Sequence, residues 1–312
     1  MIRRPPTAVR TVVRFAAVVL CSGSVVFLIM VWLPGDAATV AVHTPDPERI
    51  AELRAQMGID RPALHRLLSW WGGLLHGDGG TLHGSGRSVW SAIEIPVRNS
   101  AILVAFAWPL LVILGCTLGI VAGTAAGSAR DTGLSTGAQA TLAVPEFATT
   151  TLLLVIFSGI LHLVPAVSLV PPGGTPLDRP EGLFVPALGI AVTGGAWLQR
   201  MVRAAIADAH VLPHVAAARL SGMHPLAVLV RHTLPAASAP VAQACAATVP
   251  YAVTGTVVVE NVVGFPGIGT LVANLIANRE TEATATVTVL VAVITMIAFL
   301  VAERKITDVG SP

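Results

Sequence analysis

The stretch Ala216-Ala217-Ala218-Arg219-Leu220-Ser221-Gly222, followed after eleven residues by Leu234-Pro235, lies between two long uncharged runs, Gly182–Gln199 and Thr233–Val259. Its small residues suit a helix that lies close against another backbone. Gly222 can end that helix in a left-handed conformation. Ser221-Gly222-Met223-His224-Pro225 stops it from continuing, Leu226–Leu229 starts a second short helix, and Leu234-Pro235 marks the exit into the next apolar run. An ordered polar loop between bilayer-length runs predicts an all-α, polytopic membrane chain. The loop is either a plain surface helix or a surface on which something docks.

Composition supports the membrane reading. Of 312 residues, 54% are hydrophobic and 12% charged, with a mean hydropathy of +0.76; soluble domains carry about 25% charged residues. The net charge of +2 comes without a basic cluster, which argues against nucleic acid as a partner. Cys21, Cys116 and Cys245 are far apart in sequence, each in an apolar run, and read as small buried hydrophobes. Lys305 is the single lysine and no Gly-Lys-Ser/Thr occurs, so a phosphate-binding loop is absent and any ATP and Mg2+ would be held by another chain.

A helix needs roughly 20 apolar residues to cross a bilayer. Trimming the uncharged runs at Pro and Gly gives six spans, near 12–33, 100–124, 138–163, 183–201, 236–259 and 284–302, the fourth being the shortest. The first follows Arg3, Arg4, Arg10 and Arg14. Its uncharged core exceeds the usual ~7–15 residues of a signal peptide, so it is expected to be retained. With the N-terminus inside, the inner segments and span ends hold eleven Lys/Arg against four acids (Asp131, Asp208, Glu303, Asp308); the outer ones hold eight Arg against twelve acids. That bias predicts cytoplasmic N- and C-termini.

The chain then divides into 1–33, the N-terminus and first span; 34–97, an extracytoplasmic subdomain; and 98–312, a five-helix core carrying the loop 202–235. In the outer segment, Pro47 starts a helix with Ile50, Leu53 and Met57 on one face and Gly58 at its end. Ala63–Leu75 is a second amphipathic stretch whose Trp70-Trp71 suits a headgroup boundary.

The loop resembles the cytoplasmic coupling loop of ABC-importer permeases, with Ala217, Ala218, Gly222, Leu234 and Pro235 in register, Ala216 in place of the usual glutamate and His232 in place of an isoleucine. Other segments resemble the dipeptide/oligopeptide/nickel permease family, specifically its first permease partner: Leu33-Pro34-Gly35-Asp36, Met57-Gly58-Ile59-Asp60-Arg61-Pro62, His76-Gly77-Asp78-Gly79-Gly80, Pro145-Glu146-Phe147, and Val257-Val258-Val259-Glu260 with Gly264-Phe265-Pro266-Gly267-Ile268-Gly269. These run over almost the whole chain in the family's order. Phe265 is shifted relative to the family's aromatic, and Val167–Pro180 differs from its shorter outer loop.

The resemblance implies a type I ABC-importer permease architecture. It implies a second homologous permease beside this chain, two ATP-binding cassette ATPase subunits docked at Ala216, Ala217, Ala218, Gly222, Leu234 and Pro235, an extracytoplasmic substrate-binding protein, and surrounding membrane lipid. The chemistry would belong to the partners: no catalytic residue, metal or cofactor is expected in this chain. Di- and oligopeptides are the expected cargo, with nickel or another small solute as the alternative.

Glu146 is the one acid inside a span; such a residue is by default a functional candidate, and pairing with Arg130 or Arg200 is the structural alternative. Glu260 is either a solvated helix-end carboxylate or part of a loop that folds back to the translocation path, with Pro266, Gly267 and Gly269 setting its turns. His210 and His214 flank the docking helix; His76 and His83 are the histidines to test for nickel. Rival classes are an intramembrane enzyme using Glu146 or histidines and an ion-coupled secondary transporter. No nucleophile–base pair falls within the spans, and a secondary transporter would carry more intramembrane charge and broken helices.

Overall fold

The computed structural model describes residues 7–42, 46–171 and 173–309. Arg3, Arg4, His43 and Thr44 lie outside the described residues. Among these residues the chain is helical, with one isolated bridge between Thr81 and Ser88. The helices are α1 (Thr7–Trp32), α2 (Ala37–Ala41), α3 (Pro47–Met57), α4 (Ala63–Leu75), α5 (Val89–Thr124), α6 (Ala129–Ala143), α7 (Glu146–Leu154), α8 (Glu181–His210), α9 (Pro213–Leu220), α10 (Pro225–Val228), α11 (Leu234–Val263), α12 (Ile268–Ala277) and α13 (Thr281–Val309). Among the described residues five helices are long and apolar enough to cross a membrane, or six if the bent pair Ala129–Ala143 and Glu146–Ile160 is counted as one span.

That bent pair falls where the third span, near 138–163, is expected, and breaks it at Pro145. α6 and the helix from Glu146 to Ile160 meet at 101°. The cause is Pro145, which cannot donate to the helix ladder and forces Val144 before it into an extended conformation (ψ 129°). The fourth span also differs from its reading as the shortest. α8 is 30 residues long and is the most buried of the candidate spans. Its apolar run looks weak because its small residues, Gly189, Gly194, Gly195 and Ala196, face other helices rather than lipid, and close helix contact asks for small side chains.

The contacts partition the chain within one residue of the expected boundary at 97, without a division at 33. One unit comprises the described residues up to Arg98 together with Gly267–Met296; the other comprises Asn99–Pro266 with the segment from Ile297.

In the first unit, local chemistry explains each short helix. Asp36 caps α2 in a reciprocal capping box with Thr39. Asp46 accepts from the Glu48 and Arg49 amides to start α3 at Pro47, and Gly58 (φ 65°) ends it. Arg54 Nε donates to Asp36 Oδ2 at 2.6 Å and joins α2 to α3. The tryptophan pair turns inward instead of presenting to headgroups. Trp70 is 6% exposed and donates to Thr286 Oγ1 at 2.9 Å, while Trp71 donates to Ser24 Oγ at 3.0 Å. With Phe27, Ala285 and Val289 they form a core between α1, α4 and α13. Glu280 accepts from the His83 and Gly84 amides and bonds His83 Nδ1 at 2.9 Å, which raises the His83 pKa.

The second unit is built on a glycine stripe. Gly115, Gly119 and Gly123 of α5 recur every fourth residue and face Leu198, Val202 and Ile206 of α8, spaced the same way. A Cβ added at these glycines would stand 2.7 Å, 2.6 Å and 2.7 Å from the Cβ atoms of Leu198, Val202 and Ile206. This small-xxx-small repeat, legible in the sequence, lets α5 and α8 approach closely. Leu103, Leu111, Ile190, Leu198, Val202 and Ile206, all at 0% exposure, form the centre of its core.

The cysteines Cys116 and Cys245, distant in sequence, meet in space: their Sγ atoms are 3.6 Å apart between α5 and α11. Copper–phenanthroline oxidation should therefore join them within one chain, leaving Cys21 as the one thiol that alkylates under denaturing conditions. Three alkylated thiols after oxidation would mean that α5 and α11 do not pack in this way.

Candidate functional site

The loop between α8 and α11 is a folded object. Pro213 occupies the first turn of α9, where its missing N–H costs nothing. Gly222 adopts φ +77°, and Met223 N returns to Ala218 O at 3.3 Å, closing the helix end. Val215 and Ala218 of α9 pack on Val228 of α10, with Met223 against them, as a separate small core. Arg219 donates to the His210 carbonyl, and His210 Nδ1 bonds Thr233 Oγ1 at 3.2 Å.

This core separates the six residues expected to act together. Ala218 (8% exposed) faces inward, whereas Ala217 and Gly222 are exposed and Ala216 half-buried. Leu220, 90% exposed, Val211, 75% exposed, and Leu226, 61% exposed, are the most exposed large apolar side chains on the loop. The sequence reading passed over them as candidate docking residues.

Leu234-Pro235 is not an exit from the loop. α10 runs through a π turn, Leu229–Thr233, into α11, giving one 39-residue helix, Pro225–Val263. The Leu234 N–H reaches back five residues to Leu229 O. This wider turn absorbs Pro235, which lacks an N–H and would crowd the preceding carbonyls of a regular helix. Leu234 packs against the second unit's core, and Pro235 is exposed. Asp131 ties the start of α6 to α8 near the loop. Its carboxylate takes Arg203 Nε at 2.8 Å and Nη2 at 2.6 Å, a bidentate pair, and also accepts from the Gly127 amide at 2.8 Å.

Glu260 is fully buried, so it is not a solvated helix end. Ser100 Oγ of α5 donates to its Oε1 at 2.5 Å, and Phe265 N bonds its main-chain oxygen. Gly264 (φ 64°) ends α11. Asn99 Nδ2 donates to the Pro266 carbonyl at 2.8 Å. Gly267 N bonds Thr270 Oγ1 at 3.1 Å and caps α12. The turn is confined to residues 264–267, and Gly269 lies inside α12 rather than setting a turn, because Thr270 stabilises the helix start just ahead of it.

Glu146 heads α7 and is half-buried. Neither Arg130 nor Arg200 pairs with it, the described ion pairs being elsewhere. It lies against Gly255 and beside Tyr251 of α11. Tyr251 and Thr193 were not singled out in the sequence, where a lone tyrosine and a threonine in apolar runs carry no signal. His76 Nδ1 contacts Gly72 O at 2.7 Å, and His83 is held by Glu280. Among the described residues no group of three His, Cys, Asp or Glu converges as a metal site.

Comparison with known proteins agrees with this architecture. Residues 115–304 match the model of the family described as binding-protein-dependent transport system inner membrane component. A putative peptide transport system permease protein of Brucella abortus (strain 2308) is 29% identical over 266 residues, 84% of each chain. The oligopeptide transport system permease protein OppB of Escherichia coli K12 is 28% identical over 266 residues, 85% of each chain. The inward-facing methionine ABC transporter MetNI aligns with a TM-score of 0.56 at 16% identity, over 70% of this chain and 97% of that one, a likeness of fold. The chain belongs to the family of binding-protein-dependent transport system inner membrane components, as a multi-pass, all-α permease of an ABC importer.

Proposed function

We propose that this chain imports di- and oligopeptides as one of two related permease subunits, driven by two ATPase subunits that dock on the loop 202–235 and supplied by an extracytoplasmic binding protein. The observation that carries the docking is the loop itself: a segment with its own small core that presents Ala217, Leu220, Gly222 and Leu226 to solvent. Apolar side chains on a well-ordered polar loop mark an interaction surface. Ala216, Ala218, Leu234 and Pro235 shape that surface from behind. ATP and Mg2+ are held by the ATPase partners, since this sequence carries no phosphate-binding loop. The arginine bias sets the loop and both termini on the cytoplasmic side. Glu146, Glu260, Pro266, Gly267 and Gly269 remain the candidate residues of the translocation path in this reading. The peptide cargo follows the likeness, over 84% and 85% of each chain, to proteins named as peptide and oligopeptide permeases.

The test is reconstitution of the chain with its second permease, ATPase subunits and binding protein in proteoliposomes. Uptake of a labelled tripeptide should saturate and require both ATP and the binding protein, with no uptake of nickel(II). ATP-dependent nickel uptake without peptide uptake would overturn the cargo. In intact cells of a strain carrying an otherwise cysteine-free variant, Ser221→Cys should resist a membrane-impermeant maleimide and Ser85→Cys should react. The opposite pattern would overturn the orientation.

A further inference from the structure

Four buried polar atoms on three adjoining helices lack a hydrogen-bond partner: Glu146 Oε1 and Thr150 Oγ1 on α7, Thr193 Oγ1 on α8, and Tyr251 Oη on α11. Buried polar groups are almost always paired, and an unpaired one is costly most of all where water is scarce. Their seating is also specific. A Cβ added at Gly255 would stand 2.8 Å from Glu146 Oε1, one at Gly189 2.5 Å from Thr150 Oγ1, and one at Gly194 2.5 Å from Tyr251 Cε1. Three glycines thus make room for Glu146, Thr150 and Tyr251, and Tyr251 interacts in turn with the Glu146 carboxyl and the Thr193 hydroxyl.

Thr193 and Tyr251 line a cavity of about 170 Å3, together with Leu142, Trp197 and Thr248. Thr193 is 9% exposed, and Tyr251 lies beside both Thr193 and Glu146. The carboxylate has no cationic partner among the described ion pairs. A water molecule could satisfy the hydroxyls, and a buried carboxyl without a counter-charge can take up a proton instead; its ionised form requires a cation. A hard metal cation asks for about six oxygen ligands and usually several carboxylates, whereas one carboxylate is present. A primary ammonium carries one positive charge and three N–H donors, the complement of one carboxylate and two hydroxyls.

We propose that Tyr251 and Thr193, which line this cavity, and Glu146, which lies beside Tyr251 and outside the cavity lining, form a site for a primary ammonium group. Resting on the peptide reading above, the group is the amino end of the transported peptide. Glu146 accepts one N–H and balances the charge, and the Tyr251 and Thr193 hydroxyl oxygens accept the others. Trp197 and Leu142 close the apolar sides.

Tyr251 is the one tyrosine in the chain, so the full chain in lipid nanodiscs, grown with 3-fluorotyrosine, gives a single fluorine resonance at the site. Titration with methylammonium chloride should shift that resonance saturably. Sodium chloride and tetramethylammonium chloride at equal concentrations should not. Glu146→Gln should weaken the response at least tenfold and Thr193→Val several-fold, with Glu146→Asp retaining part of it. An equal response to all three salts, or an unchanged titration in Glu146→Gln, would overturn the proposal. In the reconstituted importer, Glu146→Gln should reduce uptake of a tripeptide with a free amino end at least tenfold while the ATPase subunits still co-purify. Unchanged uptake would also overturn it. The fluorine titration needs no partner subunit, so a failure of the importer reading would appear separately, as absent ATPase association or absent uptake in the unsubstituted protein.

Discussion

Leu220→Asp should strip the ATPase subunits from the membrane complex while leaving the permease inserted and folded. Leu220 is 90% exposed at the end of α9, so its replacement disturbs no contact within this chain. In a docked complex the same side chain enters a packed contact, and burying a leucine contributes about 1.5–3 kcal/mol. Aspartate forfeits that contribution and adds the cost of desolvating a charge. At 1.4 kcal/mol per decade, association should weaken by about tenfold to several hundredfold. The readout is the amount of ATPase subunit that co-purifies with tagged permease, together with ATP hydrolysis stimulated by the binding protein. Normal recovery of both would remove the loop from the docking role.

The choice of residue matters because the loop's own structure would confuse other probes. Gly222 sits at φ +77° with open space around it, so Gly222→Asp strains the backbone as well as adding a charge. Asparagine tolerates that conformation better than most residues and makes the better substitution there. Ala218 packs on Val215 and Val228, so enlarging it would break the loop from inside. Ala217→Trp, on the exposed face, offers the steric counterpart to Leu220→Asp.

How much of this was legible in the sequence follows from the range of the interactions involved. Spans announce themselves through composition, and α3 through Asp46, Pro47 and Gly58, which act within a few residues. The bend at Pro145 and the π turn before Pro235 had their cause in plain sight, yet their geometry depends on what the neighbouring turns can absorb. Burial along α8 was hidden because small residues lower its apparent hydropathy while marking its central place. The Cys116–Cys245 contact and the Glu146–Tyr251–Thr193 cluster join residues 129 and about 105 positions apart, and no local pattern encodes such meetings. Glu260 read as a solvated or path-lining acid because nothing near it in sequence points to Ser100.

The glycine stripe supports a second large effect, on the fold itself. Gly119→Ala should markedly lower the thermal stability of the purified chain, and Gly119→Leu should prevent a stable fold. A Cβ at position 119 would stand 2.6 Å from Val202 Cβ and 2.9 Å from the Gln199 carbonyl. Both obstacles belong to α8 itself, so no rotamer change can clear them and the two helices must part. Overpacking of this kind costs about 1–3 kcal/mol, occasionally more. The cost should reach the upper end here, because separating the helices also loosens the neighbouring contacts at Gly115 and Gly123. Gly137 in α6 provides the internal control, since nothing lies within 4 Å of a Cβ added there. By helix propensity alone, Gly137→Ala should stabilise α6 by up to about 1 kcal/mol. The same chemical change is thus expected to act with opposite signs at two helical glycines, and thermal unfolding in detergent measures both. If Gly119→Ala and Gly137→Ala melt alike, the close contact between α5 and α8 does not exist, and the core on which the polar cluster and the loop are mounted would have to be redrawn.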